Sequence, residues 1–117
     1  MSTSKNKIEN KQSKDPIDQV IFEKGLRISY IVPVKEQDSL VIFLNNQTNF
    51  TVRLSSFPRL KKASTKQLND WKLISKGIGI EWTNLDEDLS LKGFIQELIV
   101  LNTLKYVSGE NTFAMAA

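Results

Sequence analysis

The run Asp86, Glu87 and Asp88 is the one acidic cluster in the sequence, and its oxygens suit hard cations such as Mg²⁺ and Ca²⁺. A calcium loop of the EF-hand type spaces its ligands over about 12 residues and needs a central glycine. Here Asp86, Asp88 and Ser90 supply only the opening of such a series before Leu91. Carboxylates just before a helix also interact favourably with its dipole. We therefore predict that the cluster is structural or faces a partner, and that it binds no metal.

A short basic run precedes the acidic cluster. Arg59, Lys61 and Lys62 follow Phe57 and could contact phosphate groups or an acidic protein surface. Surfaces that bind single-stranded nucleic acid interleave cations with aromatic side chains, and this run does not. A solvated face is the simpler interpretation, and contact with a partner is the alternative.

The sequence has no histidine and no cysteine. This composition removes the commonest general base and metal ligand, thiolate zinc sites, and the Ser-His and Cys-His nucleophilic pairs. The stretch Gly77-Ile78-Gly79 lacks the remaining glycines of a dinucleotide-binding loop, and the Lys-Ser/Thr pair of a P-loop is absent. We therefore predict that the protein is not an enzyme and has neither catalytic residues nor a cofactor.

Trp71 and Trp82 are candidates for anchors at an interface, because tryptophan is enriched in binding hot spots. In a domain of this size, tryptophan more often fills the core. The other candidates for partner binding are the charged residues of the basic and acidic runs and apolar residues of the final helix. The candidate partner-binding residues are Phe57, Arg59, Lys61, Lys62, Trp82, Asp86, Glu87, Asp88, Leu98 and Leu101.

Charge is distributed unevenly along the chain. The net charge is +3, and residues 1–14 alone contribute +3, because they carry four lysines and one glutamate. We predict a disordered basic leader over 1–14, a single domain over 15–107 and a frayed tail over 108–117. No apolar run approaches the roughly 20 residues that span a bilayer, and residues 1–14 do not match a secretory signal. We therefore expect a cytoplasmic protein without membrane contact.

Alternating apolar residues predict strands in the first half of the chain. Ile28, Tyr30 and Val32 share one face of the first strand, which Pro33 limits to an edge or an end. Residues 40–54 then predict a hairpin whose first strand is covered on both faces.

A second strand region surrounds Trp82. Ile78, Ile80 and Trp82 point to one face, and Gly77 and Gly79 lie on the other side. Because glycine has no side chain, we expect another backbone or a ligand to come close there, and packing of another element is the simpler use.

Helical patterns lie between and after these strands. Residues 15–25 predict a short helix capped at Asp15, although an extended stretch at 20–22 fits nearly as well. A capping box that starts at Ser64 predicts a helix over 65–75.

Ser90 can cap a final helix with one broad apolar stripe. The stripe contains Leu91, Phe94, Ile95, Leu98, Leu101 and Leu104. Together these elements predict an α+β fold: a small antiparallel β-sheet with a capped central helix and an amphipathic C-terminal helix.

Five short motifs in order resemble the bacterial domain-of-unknown-function 2442 family. They are Phe57-Pro58-Arg59-Leu60, Ala63-Ser64, Trp71, Gly77-Ile78-Gly79-Ile80-Glu81-Trp82 and Leu85-Asp86-Glu87-Asp88-Leu89-Ser90-Leu91-Lys92-Gly93. With the preceding hairpin the resemblance covers about residues 27–96. It implies a small α+β fold and the role of an antitoxin-like partner of a small protein from an adjacent gene.

The chain departs from the family pattern in two ways. Glu81 stands where the family commonly has histidine, so a role of that histidine is not carried over. Some relatives carry a helix-turn-helix domain, and the stretch after the last motif is too short for one. DNA-binding autorepression is therefore not implied for this chain.

These observations lead to one main hypothesis and two alternatives. The main hypothesis is a non-enzymatic protein-interaction module that binds and neutralises a small partner protein. The first alternative is a nucleic-acid-binding regulator that uses the basic leader with Arg59, Lys61 and Lys62. The second, which the poor match to a calcium loop disfavours, is a metal-dependent hydrolase built on Asp86 and Asp88. The C-terminal helix could instead form a homodimer.

Overall fold

The structure, a computed structural model, describes residues 15–108. Two three-stranded antiparallel sheets are followed by one long helix. The first sheet contains β1 (Ile28–Val34), β2 (Ser39–Leu44) and β3 (Asn49–Arg53), and the second contains β4 (Lys72–Ile74), β5 (Gly79–Trp82) and β6 (Glu87–Ser90). The α-helices are α1 (Pro16–Asp18), α2 (Pro58–Lys61), α3 (Thr65–Leu68) and α4 (Leu91–Ser108).

Short turns of other helix types connect these elements. A π-helical turn (Gln19–Glu23) follows α1, and 3₁₀ turns lie at Lys35–Gln37, Leu54–Ser56 and Thr83–Leu85. The α+β class is confirmed, but the predicted single sheet is two sheets. The predicted leader and residues 109–117 of the predicted tail lie outside the described residues, whereas Ser108 is the last residue of α4.

Strand β1 contains a β-bulge that changes which side chains face the core. The register shifts between Ile28 and Tyr30, so Ile28 and Ile31 are buried while Tyr30 and Val32 are 47% and 39% exposed. The prediction that Ile28, Tyr30 and Val32 share one face is wrong, because one extra residue reverses the alternation that follows it. As Pro33 predicted, β1 is an edge strand.

Helix α3 is much shorter than predicted. Its capping box is present: Ser64 Oγ accepts from the Gln67 amide at 3.1 Å, and the Gln67 side chain accepts from the Ser64 amide at 3.0 Å. The helix ends at Leu68, whose carbonyl accepts a hydrogen bond from Trp82 Nε1 at 3.0 Å. The predicted helix is wrong beyond its first turn, because tertiary contacts override helix periodicity and residues 72–74 pair with β5.

Gly77 brings the two sheets together. Its φ is +110°, and its carbonyl accepts a hydrogen bond from the Ile28 amide at 2.8 Å. A Cβ at Gly77 would overlap the Ile28 carbonyl oxygen, and a Cβ at Gly79 would lie 2.9 Å from the Leu89 carbonyl oxygen. Both glycines confirm the prediction that a neighbouring backbone comes close at these positions.

Both sheets and α4 enclose one core. Trp82 and Phe94 are its largest fully buried side chains, and no polar or charged residue of the described chain is buried. Three-stranded sheets need a packed face to be stable, so each sheet depends on this shared core. The core residues are Ile21, Ile28, Ile31, Leu40, Ile42, Val52, Leu54, Leu60, Ala63, Leu68, Ile80, Trp82, Leu91 and Phe94.

An ion-pair cluster connects α1 to α4. Asp15 caps α1 by accepting a hydrogen bond from the Ile17 amide at 2.9 Å, and the helical alternative for this segment is confirmed. Lys92 Nζ lies 3.2 Å from the Asp15 carboxylate and 2.8 Å from the Asp18 carboxylate. The Ile17 amide and the bond to Lys92 lower the pKa of Asp15. Hydrogen bonds to Asp18 and Asp15 raise the pKa of Lys92.

We expect the stability of the fold to fall when Asp15 or Lys92 loses its charge. Because the folded-state pKa of Asp15 is lowered, its contribution is present above its ordinary pKa of 3.8 and is lost as the pH falls through the folded-state value. The pKa of Lys92 is raised, so its contribution is present below 10.5 and is lost as the pH rises through the folded-state value. Asp15→Asn should therefore lower Tm at neutral pH and flatten the acid limb of Tm against pH, followed by circular dichroism.

Asp88→Asn is the matched control for this prediction, because Asp88 is an exposed carboxylate on β6. It should leave the acid limb of the Tm profile unchanged. Equal changes in the Asp15 and Asp88 variants would contradict a specific contribution of the cluster.

Candidate protein-interaction surface

The predicted acidic and basic turns contact each other. Asp86 follows the 3₁₀ turn Thr83–Leu85 in the left-handed conformation, with a φ of 52°. Arg59 Nη1 donates to the Asp86 carbonyl and lies 3.7 Å from the Asp86 carboxylate. Both side chains are exposed, so this ion pair contributes little to stability. Two residues that we predicted to bind a partner are thus in contact with each other.

The other charged candidates lie at or near the surface. Lys61 and Lys62 are exposed at the end of α2, while on β6 Glu87 is half-buried and Asp88 is exposed. Asp86 ends the 3₁₀ turn, Glu87 and Asp88 lie on β6, and Ser90 Oγ accepts the capping hydrogen bond of α4 from the Gly93 amide at 2.9 Å. The cap of α4 is therefore Ser90 and not a carboxylate of the acidic cluster. Within residues 15–108, no group of three His, Cys, Asp or Glu side chains is placed to hold a metal ion.

The aromatic candidates belong to the core. Trp82 is 0% exposed, so the prediction that it anchors a partner is wrong. The short strand β5 places this side chain inside the core, where Nε1–H donates a hydrogen bond to the Leu68 carbonyl. Phe57 is half-buried and lies edge-on to Phe94, with ring centroids 5.6 Å apart. Phe57 therefore presents only part of its ring to solvent.

Helix α4 carries five of the ten exposed large apolar side chains of the described chain. Leu98 and Leu101 are half-buried against the core, as the stripe predicted, but Leu104 is 55% exposed and does not continue it. Sequence reasoning missed the outward side chains. These are Ile99, Val100, Leu104, Tyr106 and Val107, called here the distal surface, and each is about half exposed or more.

A signal for the distal surface was present in the sequence. After Lys92, helix α4 carries only Glu97 and Lys105 as charged residues, and its apolar residues extend beyond one stripe, although Asn102 and Thr103 interrupt them. A helix with apolar residues on more than one face normally buries more than one face. The single inward stripe predicted from the sequence leaves out Ile99, Val100, Tyr106 and Val107.

The outer face of the first sheet is a second uncovered apolar area. Tyr30 and Phe43 stack with ring centroids 4.5 Å apart, next to the cross-strand pair of Val32 and Val41. Leu40 and Ile42 are fully buried on the opposite face, whereas Val41 and Phe43 are half-buried. Strand β2 is therefore fully covered on one face only, contrary to our prediction.

A groove lies between β3 and the distal half of α4. Thr51 and Arg53 form one wall, and Leu101 and Lys105 form the other, around a volume of about 320 Å³. The groove continues along Leu104 toward the end of the helix. We call it the β3 groove. It places a strand edge, apolar side chains, two cations and the Asp38 carboxylate side by side.

The fold and its surface define a class of protein, which is a small α+β protein with one core and uncovered apolar faces. Residues 31–99 match the family described as "Protein of unknown function (DUF2442)". The chain belongs to this family, which confirms the resemblance found in its motifs. No curated protein matches the chain.

Two solved structures share this architecture. A crystal structure of a protein of unknown function from Rhodospirillum rubrum is 27% identical, with a TM-score of 0.55, over 61% of this chain and 86% of that one. The solution structure of an uncharacterized protein from Chromobacterium violaceum is 23% identical, with a TM-score of 0.59, over 83% of this chain and 86% of that one. These similarities support the fold.

Among residues 15–108, no helix is both long and apolar enough to cross a membrane.

Proposed function

We propose that this protein is a non-enzymatic interaction module that binds and neutralises a small partner protein from an adjacent gene, as a cytoplasmic antitoxin does. The observation that carries the proposal is the distal surface. Val107 is 72% exposed, Tyr106 is 58% exposed, and the apolar faces of neighbouring turns are uncovered. Contiguous exposed apolar patches mark interaction sites, because leaving them in water is unfavourable.

The antitoxin-like role is what the family resemblance implies, and the surface supports a protein as the partner. A nucleic-acid-binding role would use the leader with Arg59, Lys61 and Lys62. Arg59 already contacts Asp86, and the apolar distal surface does not suit a phosphate backbone. The described surface therefore favours a protein partner over a nucleic acid.

Val100→Glu should weaken the complex at least about 10-fold, because it places an unpaired carboxylate in an apolar contact. Val100 is 49% exposed, so the substitution leaves the core intact. The measurement is co-expression with the product of the adjacent gene, followed by pull-down, a binding titration and an assay for relief of its toxicity.

Asn102→Glu is the matched control, because it adds the same charge to an exposed polar position of the same helix. Its affinity should stay close to that of the parent chain. Absence of a complex between the parent chain and the product of the adjacent gene would refute the proposal. Equal loss of binding in the two variants would show that the distal surface is not the site where the partner binds.

A further inference from the structure

Strand β3 has an open backbone edge. The Leu44 amide donates to the Thr48 carbonyl at 2.9 Å, which makes these two residues a hydrogen-bonded pair of the hairpin. Hydrogen-bonded and open pairs alternate along an antiparallel ladder. It follows that Asn49, Thr51 and Arg53 direct their amide and carbonyl groups away from β2. Within residues 15–108, no other strand pairs with this edge.

We infer that the β3 groove binds an extended segment of the partner protein, which adds a fourth strand to the first sheet alongside β3. The inference rests on the proposed function and specifies how the partner is recognised. An open strand edge supplies backbone hydrogen bonds, and pockets for alternate side chains supply specificity. In this groove Leu101 and Leu104 provide the apolar wall for those side chains.

Charge indicates the composition of the added segment. Arg53 and Lys105 line the groove, and within residues 15–108 neither side chain is in an ion pair. Asp38 also lines the groove, but its carboxylate accepts hydrogen bonds from the amide and the hydroxyl of Ser55. Opposite charges across an interface favour fast and correctly oriented binding. The segment therefore carries apolar side chains at alternate positions and carboxylates at its ends.

A second copy of this chain fits the groove less well. Symmetric pairing brings the same patch of two copies together. Arg53 and Lys105 of each copy would then place four cations in one interface against only two Asp38 carboxylates, and this excess of positive charge is unfavourable. An acidic segment of a different protein does not meet this repulsion.

The test uses the ¹⁵N-labelled full chain and a synthetic acetylated heptapeptide of alternating valine and threonine with glutamate at both ends. The expected result is a set of amide shift changes centred on Asn49, Thr51 and Arg53. Replacing both glutamates by lysine should weaken binding at least about 10-fold. Arg53→Glu should have a similar effect, whereas Lys66→Glu, at an exposed position of α3, should have none.

Thr51→Pro tests the backbone contact, because proline removes an amide that points to the open edge. Peptide binding should be lost while Tm shows that the chain still folds. If this variant unfolds, the comparison of Arg53→Glu with Lys66→Glu tests strand addition instead. No shift changes along β3 at millimolar peptide, or equal binding of the lysine peptide, would overturn strand addition.

Competition separates this inference from the proposed function. If the product of the adjacent gene binds the chain and the peptide does not displace it, the proposed function stands and strand addition fails. If the peptide binds but that product does not, the groove is a strand-binding site and the proposed partner is wrong. If the free chain dimerises with amide shift changes along β3 and the peptide does not bind, the groove belongs to a second copy and strand addition by a partner fails.

Discussion

Replacing Trp82 by alanine is expected to lower the free energy of unfolding by about 3–5 kcal/mol. A domain of this size has roughly 5–15 kcal/mol in total, so much of the stability would be lost. Trp82 is 0% exposed and sits in the shared core, where alanine leaves a cavity. The Leu68 carbonyl also loses the hydrogen bond from Nε1. Urea unfolding followed by circular dichroism measures the loss.

Trp82→Phe removes the Nε1 donor and a smaller part of the apolar contact than Trp82→Ala does. Leaving the Leu68 carbonyl without this donor is expected to cost about 1–3 kcal/mol. Trp71→Phe is the matched control, since Trp71 is only partly buried against the core. Its effect should be smaller. Equal losses in the two phenylalanine variants would show that the Nε1 hydrogen bond has no special value.

Gly77→Ala is expected to destabilise the fold by roughly 3 kcal/mol or more. The φ of +110° is unfavourable for an L-residue, and the added Cβ would overlap the Ile28 carbonyl oxygen. Ile28 donates its amide to the Gly77 carbonyl, so moving the turn away would break a contact between the sheets. Thermal and urea unfolding of the variant measure this effect.

Gly25→Ala is the control for backbone conformation alone. Its φ is +74°, and a Cβ at this position meets no atom within 4 Å. Only the conformational penalty of about 1–2 kcal/mol should remain. A loss at Gly25 as large as that at Gly77 would mean that steric overlap between the sheets is not what requires glycine at position 77.

Local patterns predicted those elements whose stability depends on nearby residues. The capping side chains of Asp15, Ser64 and Ser90 are each used as predicted. The hairpin over 40–54 also forms, since its alternation and turn residues agree. The predicted length of helix α3 was wrong because Trp82, 14 residues later in sequence, donates a hydrogen bond to the Leu68 carbonyl. No local pattern reveals such a contact.

The surface was harder to predict than the core. Residue type identified Trp82 as a candidate both for the core and for an interface, and only its burial decides between them. The bulge in β1 turned Tyr30 outward, because a single residue inserted in a ladder reverses all later positions. The β3 groove depends on where α4 crosses the first sheet, and that crossing is a tertiary property.

The position of Leu91 and Phe94 in the shared core has a consequence for synthesis of the chain. Both residues are fully buried, yet they are translated after all six strands. Until they leave the ribosome, the nascent chain lacks the side chains that close its interior, and its apolar strand faces stay accessible to chaperones. Folding is therefore expected to finish only after translation of the last helix has begun.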